Sequence, residues 1–433
     1  MKDLLKRSDE PTRREFVSRL ARTCLGVTVL PPCFRSVAEA GAIDPSGVVL
    51  PSGKAKNVIY LYMNGGMSHL DTFDPKPESE VQGPVETIST NVDGIRISEY
   101  FSETAQQMDK IALIRSLSSN QGAHERGQYY MRTGYNQRGT IRHPAMGAWA
   151  LRLLGKMNPS LPGNVRIGND SRHPGAGFME TQFAPLPIGD PKAGLQNSRL
   201  PKGIDPDRFE KRLAMSKKIG RTFRQSYDYK KVRAYSDAYK DAVRLMSSRE
   251  LEVFDIGREE DSIKELYGED AFGQGCLLAR RLVEQGVRFV EVAYGGWDTH
   301  QNNFERVPER SAVLDRALSA LVDDLSHRGL LDQTLVVVAT EFGRTPTINQ
   351  NSGRDHYPKA FSCLLAGGGV QGGQVYGRTS ADGSEVIENS VSIPDFNATI
   401  AYALGMVQDE IVYSTSSRPF TVADKGKPIT RLF

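Results

Sequence analysis

The chain has 433 residues, 39% of them hydrophobic and 25% charged, and a formal charge of +3 from 55 basic and 52 acidic side chains. Eight of those bases and five of those acids lie in residues 1–40, which leaves 47 of each in the rest of the chain. A neutral body of this length excludes a general nucleic-acid binder and an anionic-membrane binder, and it suffices for one large α/β domain or two ordinary ones.

At the N-terminus, Thr12-Arg13-Arg14-Glu15-Phe16-Val17-Ser18 has the twin-arginine export pattern. An apolar run follows at 25–30, and then Ala38-Glu39-Ala40, a small-x-small cleavage site. Residues 1–40 are therefore read as a signal peptide handled by the twin-arginine translocase, and the mature protein as periplasmic or secreted. Arg19 and Arg22 interrupt the apolar region, so a basic amphipathic helix is the alternative. Residues 41–56, rich in Pro, Gly and Ser, read as a linker, and 57–433 as the domain. No apolar run approaches the ~20 residues needed to span a bilayer. Cys276 and Cys363 sit in apolar segments and read as buried free thiols.

The first strand is the apolar run 57–63, which ends in Asn64-Gly65-Gly66 and suits a buried central strand feeding a loop. A polar helix is expected over 99–108, a strand at 111–114 and a helix over 142–156. Residues 159–201, dense in Pro, Gly and Asn, read as loops and short strands, and 209–254 as charged helix with a solvated face. Three further strand-like runs follow at 287–292, 334–339 and 361–365, with a helix at 311–325 between the first two. Such alternation predicts a mostly parallel sheet covered on both faces.

The polar clusters fall at strand ends. Ser68, His69 and Asp71 follow the first strand, and Asp298 and His300 follow the 287 strand. Glu341 and Arg344 follow the 334 strand, with Arg354, Asp355 and His356 close behind. Ligands of parallel α/β sheets bind outside the carboxyl ends of the strands, so these segments suggest one composite site. Its residues suit a divalent ion, with His and Asp for zinc or manganese and carboxylates for calcium or magnesium. The alternative is that they cap helices and brace loops. Two motifs are decoys. Gly367-Gly368-Gly369-Val370-Gln371-Gly372 satisfies G-x-G-x-x-G but leads into what reads as a hairpin at 374–377, and Gly66-Met67-Ser68-His69-Leu70 lacks the last glycine of a nucleophile elbow.

Four segments together carry a resemblance. They are Gly65-Gly66-x-Ser68-His69-x-Asp71-Thr72-Phe73-Asp74-Pro75-Lys76, Trp297-Asp298-Thr299-His300, Glu341-Phe342-Gly343-Arg344-Thr345-Pro346 and Gly353-Arg354-Asp355-His356-x-Pro358. They resemble the bacterial family called domain of unknown function 1501, which is sulfatase-like in sequence. The resemblance implies the alkaline phosphatase and sulfatase fold, an α/β three-layer sandwich with a mostly parallel central sheet. Relative to that superfamily, Glu341 is similar to a metal-binding acid, while Phe342 stands where a second ligand would be. His356 matches a histidine placed before a strand and glycine turn, and Asp298 and His300 resemble the pair of the other metal site. Asn64 replaces the first-strand Asp, leaving Asp71 or His69 to compensate. No Cys-x-Pro-x-Arg motif exists, so a formylglycine sulfatase is not expected. His124 falls near the nucleophile position relative to Thr133-Gly134, with Ser68 as the other candidate.

The expected function is an exported metal-dependent hydrolase of phosphate or sulfate esters. Its metal would be held among His69, Asp71, Asp298, His300, Glu341, Asp355 and His356. Arg344 and Arg354 would clamp the anion, and His124 or Ser68 would attack or act as base. The substrate would be an anionic ester, sulfated or phosphorylated glycans among them. The alternative is a non-catalytic relative that binds a sulfated glycan or a cell-envelope partner. The export reading predicts that Arg13→Lys with Arg14→Lys leaves the precursor in the cytoplasm. Normal periplasmic recovery of the double variant, measured by cell fractionation, would refute it.

Overall fold

In the computed structural model, which describes residues 53–433 except 197, 199–203, 227–241 and 247, the first apolar run forms strand β1 (Asn57–Asn64). The segment expected to direct export and most of the expected linker lie outside the described residues. Residues 53–56 already dock on the domain, where Ala55 N donates to Ala403 O at 3.0 Å and Lys56 N to Gln333 O at 2.7 Å. Strand β2 is Ile111–Ser118, β3 Asn164–Ile167, β4 Leu186–Ile188 and β5 Phe289–Gly295. Strand β6 is Thr334–Ala339, β7 Gly343–Arg344, β8 His356–Tyr357 and β9 Phe361–Ala366; β10 is Gln374–Tyr376 and β11 Val391–Ser392.

The main sheet has nine strands among the described residues, in the order β10-β2-β9-β6-β1-β5-β3-β4, with β11 also on β2. Every pairing is parallel except the two made by β9, which runs antiparallel to both β2 and β6. The protein is thus an α/β fold with a mostly parallel central sheet. The segment at 374 forms no hairpin of its own, because Gln374 pairs in parallel register with Ala112 at the sheet edge. No helix follows its glycines.

Alternation along β1 separates two cores. Ile59, Leu61 and Met63 face helices α5 (Ala271–Glu284) and α6 (Asn303–His327), packing with Leu277, Leu278, Leu318 and Leu321. Val58, Tyr60 and Tyr62 face α2 (Met146–Leu154) and α7 (Ile393–Ala403), packing with Trp149, Phe396 and Ile400. Helix α1 (His124–Thr133) joins this second layer through Met131. All these side chains are buried, each worth about 1.5–3 kcal/mol as a transfer term for a Val, Leu, Ile, Phe or Met. Two helix starts are fixed locally. The Asp270 carboxylate accepts from Phe272 N and Gly273 N at the start of α5, and Ser392 with Asp395 closes a capping box on α7. Helix α3 (Pro206–Ser226) and the short α4 (Asp261–Tyr267) complete the helices used here. Among the described residues no helix is long and apolar enough to cross a membrane.

The helix expected over 99–108 is instead two 3₁₀ segments, Glu99–Phe101 and Thr104–Lys110. The cause is Asp315 on α6, whose carboxylate accepts from Glu103 N at 2.9 Å and Thr104 N at 2.6 Å. It takes the amides at the junction and restarts the turn there. Both thiols, Cys276 and Cys363, are buried and free.

A charged network crosses the second layer. Arg132 on α1 donates to Glu291 Oε1 on β5 through Nε at 3.0 Å and Nη2 at 2.8 Å, and Nη2 lies 2.5 Å from Asp170 Oδ2. His173 Nε2 lies 3.2 Å from Glu291 Oε2, and the guanidinium stacks 3.7 Å above the Tyr62 ring. Burial pushes the Glu291 carboxyl up, but Arg132 and His173 outweigh it and hold the group at about 2. A depressed carboxylate contributes stability that is full above its unfolded value near 4.5 and is lost as pH falls toward about 2. Glu291→Gln is expected to lower stability at pH 7 by about 3 kcal/mol. In urea titrations its stability should also fall less steeply than wild type between about pH 4.5 and 3; parallel pH curves would contradict the assignment.

Candidate metal centre

Since β1, β5 and β6 are adjacent and parallel, their carboxyl ends lie at one edge of the sheet. The loop after β5 brings Asp298 and His300 there, and the turn after β6 brings Glu341. Strand β2 points the same way and leads into α1, whose first residue is His124. His356 precedes the antiparallel strand β9, which enters the sheet at the edge where its neighbours leave. Gly65 lets the loops meet, with φ +126° and room for no Cβ, which would lie 2.5 Å from Asp298 N.

His124, Asp298 and His356 each offer a ligand atom, all within 4.8 Å of one another. His124 Nε2 is 3.2 Å from Asp298 Oδ2. Asp298 Oδ1 is 3.2 Å from His300 Nε2 and 3.3 Å from His356 Nε2, and those two nitrogens are 2.9 Å apart. Phe342 forms an apolar floor, its ring 5.0 Å from His124 and 4.7 Å from His356 between centroids.

The partners of the other ring nitrogens fix the tautomers. His124 Nδ1 is 2.7 Å from Glu341 Oε1, His300 Nδ1 is 2.6 Å from Asp355 Oδ1, and His356 Nδ1 is 2.9 Å from the Gly122 carbonyl. Carbonyls and ionised carboxylates only accept, so each Nδ1 carries its proton and donates it. The three Nε2 atoms therefore converge on Asp298. His124 Nε2 is buried and makes no hydrogen bond. The Nε2 atoms of His300 and His356, 2.9 Å apart, need a proton or a cation between them. Burial, with Arg344 and His124 nearby, pushes the His356 pKa down. Burial pushes the Asp298 carboxyl up, yet the Arg344 guanidinium with His124 and His300 holds it at about 2.

Other expected site residues hold this cluster without joining it. Glu341 is buried, accepting from Tyr62 Oη at 3.0 Å and Gly65 N at 2.9 Å besides His124, so its oxygens are engaged behind the imidazole. Asp355 stands behind His300 in the same way. Arg344 is fully buried and donates to the carbonyls of Gly65, Gly66 and Arg354 and to Asp298 Oδ1 at 2.6 Å. It cannot clamp a substrate.

The expectations for Asp71, His69, Ser68 and Arg354 are not met by their placement. Arg354 Nε donates to Asp71 Oδ2 at 2.9 Å in a pair with neither side chain exposed. The rest of that guanidinium is spent on the carbonyls of Val81, Gln82, Thr345 and Pro346. Asp71 Oδ2 also accepts from Asn303. His69 Nε2 faces Gly383 O at 2.9 Å, and Ser68 is buried with Oγ accepting from Asp71 N. This turn serves as a brace, with Asp71, Ser68 and His69 Nε2 bonded internally and only His69 Nδ1 of these groups buried without a hydrogen bond. Sequence reading overlooked Gln128, whose Nε2 donates to Asn64 Oδ1 at 2.6 Å, as well as Tyr62 and Arg132. The signal for Gln128 and Arg132 was the i, i+4, i+8 spacing of His124, Gln128 and Arg132, one polar stripe on α1.

Fold and site together define an α/β protein with a histidine-rich candidate metal centre at the carboxyl edge of its sheet. A family model described as "Protein of unknown function (DUF1501)" matches residues 55–433, and the chain belongs to that family. A search of curated proteins found no match. Among solved structures, the chain is similar to the lipoteichoic acid synthase LtaP from Listeria monocytogenes, at 10% identity and a TM-score of 0.41, covering 86% of this chain and 77% of that one. It is also similar to a protein in the alkaline phosphatase superfamily from Vibrio parahaemolyticus, at 11% identity and a TM-score of 0.40, covering 87% and 71%. A third is the C-terminal periplasmic domain of EcEptC from Escherichia coli in complex with Zn, at 8% identity and a TM-score of 0.37, covering 88% and 90%. These likenesses are remote, and the reading of the site rests on its own geometry.

Asp71→Ala would strand the buried Arg354 charge and is expected to cost about 3–5 kcal/mol. Metal content per folded molecule should stay that of wild type. A variant of wild-type stability that loses metal would instead make Asp71 a ligand.

Proposed function

We propose that the protein is an exported metal-dependent hydrolase of phosphate or sulfate esters, of the alkaline phosphatase and sulfatase kind. The observation that carries this reading is the convergence of three imidazole Nε2 atoms on one ionised carboxylate. That donor set, His124, His300, His356 and Asp298, suits zinc or another transition ion better than calcium or magnesium, which take oxygen ligands. A divalent ion there supplies Lewis-acid polarisation of an ester oxygen.

The chain's own residues supply placement. Glu341, Asp355 and the Gly122 carbonyl fix the three rings through their Nδ1 protons, and Arg344 keeps Asp298 ionised and aimed at them. Phe342 excludes water from one side of the cluster. Among the described residues no serine, threonine or cysteine side chain bonds to these four, so the reading has water attack the ester without a covalent intermediate on Ser68. Sulfated or phosphorylated glycans are the proposed substrate class, and the periplasm or the medium the proposed location. The twin-arginine segment supports the latter.

Elemental analysis of protein purified from the periplasm, followed by a panel of phosphate and sulfate monoesters, tests the proposal. Wild type should carry a transition ion and hydrolyse an ester of one class. His124→Ala and His356→Ala should lose both metal and turnover, Glu341→Gln should lower metal affinity or activity by about 10–100-fold, and Ser68→Ala should keep its turnover. Full activity in His124→Ala, or in chelator-stripped protein, would overturn the metal reading. Metal-loaded wild type inert to every ester would favour the binding protein.

A further inference from the structure

Both arginines expected to clamp the anion, Arg344 and Arg354, are consumed by internal partners. The cations that face open space lie elsewhere. A cleft of about 390 Å³ beside the cluster is lined by His124, Asp298, Asn64 and Gln128 on one side and by Asn169 to Arg172 on the other. A second cleft of about 720 Å³ shares Ser171 and Arg172 with it and adds Arg138 and Arg142. The two therefore run together across the 171–172 segment.

The charge in the second cleft is lopsided. Arg138, Arg142 and Arg172 line it against one acid, Glu125, which already accepts from Gln137 Nε2 at 3.2 Å. All three arginines are exposed. The guanidinium groups of Arg138 and Arg172 make no hydrogen bond with a described residue, although Arg138 also attracts the Asp424 carboxylate at longer range, and Arg142 gives one bond, from Nη2 to His173 O at 2.8 Å. A fourth cation, Arg418, reaches Thr140 Oγ1 in the same wall at 3.5 Å. The nearby carboxylate Asp170 is turned inward onto Arg132 and does not neutralise them. The backbone that carries them is anchored. Arg138 bridges to Ile141, Arg172 N donates to Asp170 Oδ1 at 2.9 Å, and Asp170 is tied through Arg132 to β5. Planar guanidinium groups with unused donors match the oxygens of sulfate and phosphate.

We infer that Arg138, Arg142 and Arg172 form a second anion subsite, continuous with the metal cluster. The substrate then carries at least two sulfate or phosphate groups on one molecule, one at the cluster and another among the arginines. This rests on the ester-hydrolase reading and narrows its substrate class from any anionic ester to a multiply charged one.

Calorimetric titration of the full metal-loaded protein tests it, with two probes, a heparin-derived tetrasaccharide and a linear hexaphosphate. The probe that binds more tightly separates sulfate from phosphate chemistry. Arg138→Gln/Arg142→Gln/Arg172→Gln should weaken the tighter probe by about tenfold or more, as three modest exposed ion pairs together would, and flatten its salt dependence. Turnover of a small monoester should stay that of wild type. A control that removes equal charge outside both clefts, Arg208→Gln/Arg258→Gln/Arg378→Gln, should leave affinity unchanged. Equal loss in both triple variants, or none in the first, overturns the subsite. Arginine-dependent binding by a wild type that hydrolyses nothing would keep the subsite and reject the hydrolase, so the two failures are distinct. An unchanged thermal midpoint and circular dichroism spectrum of the first variant would show that lost affinity is not lost folding.

Discussion

Arg344 is buried and ties together segments that approach the site from different parts of the chain. Its guanidinium donates to the carbonyls of Gly65 and Gly66 after β1, to Arg354 O before β8, and to the Asp298 carboxylate after β5. A charge held so far from water is tolerable only because each face of the group meets an acceptor. The same bonds set the geometry of the cluster. Asp298 is half-exposed on a loop, and Arg344 both aims its carboxylate and keeps it ionised among three imidazoles. Arg354, through its backbone oxygen, links this knot to its own buried pair with Asp71. The polar residues nearest the first strand thus serve the site at one remove.

Helix α1 is held by comparable means. His124, Gln128 and Arg132 recur at intervals of four and point one stripe into the protein, toward Glu341, Asn64 and Glu291 respectively. The Arg132 end is pinned by a buried ion network on β5, and the His124 end by the Glu341 carboxylate beyond β6. Two anchors about two helical turns apart leave the imidazole little freedom. Precise placement of an imidazole at a helix start needs such support, since the first turn of a helix lacks its own hydrogen-bond partners. The network also explains why Asp170 and Arg172, neighbours in sequence, behave differently. Asp170 is drawn inward as a structural charge, while Arg172 faces the clefts.

The single antiparallel strand has a functional consequence. Had β9 run parallel, the segment before it would have ended at the opposite edge of the sheet, and His356 with it. Its reversed direction places 343–357, a small ribbon in which His356 pairs with Arg344, directly over the carboxyl ends of β1, β5 and β6. One change of strand direction thus completes the set of imidazoles.

The apolar runs at 57–63, 111–114, 287–292, 334–339 and 361–365 were legible as strands because burial of a strand on both faces is written into local composition. The gathering of Asp298, His300, Glu341 and His356 at one edge followed from their positions after or before those strands. The division of labour among the polar residues was not legible. Ser68, His69, Asp71 and Arg354 look as ligand-like in sequence as His124 and His356. Whether a carboxylate or guanidinium is spent on a brace or left open depends on partners more than 200 residues away, such as Arg354 for Asp71. The 99–108 segment failed for the same reason, since a carboxylate on α6 captured its amides. Sequence by itself determined the strands, the sheet class and the edge where chemistry gathers, all local or topological properties. Only tertiary structure decided which side chains gather in the cluster and which support it, because a hydrogen bond is made by whatever the fold brings within about 3 Å.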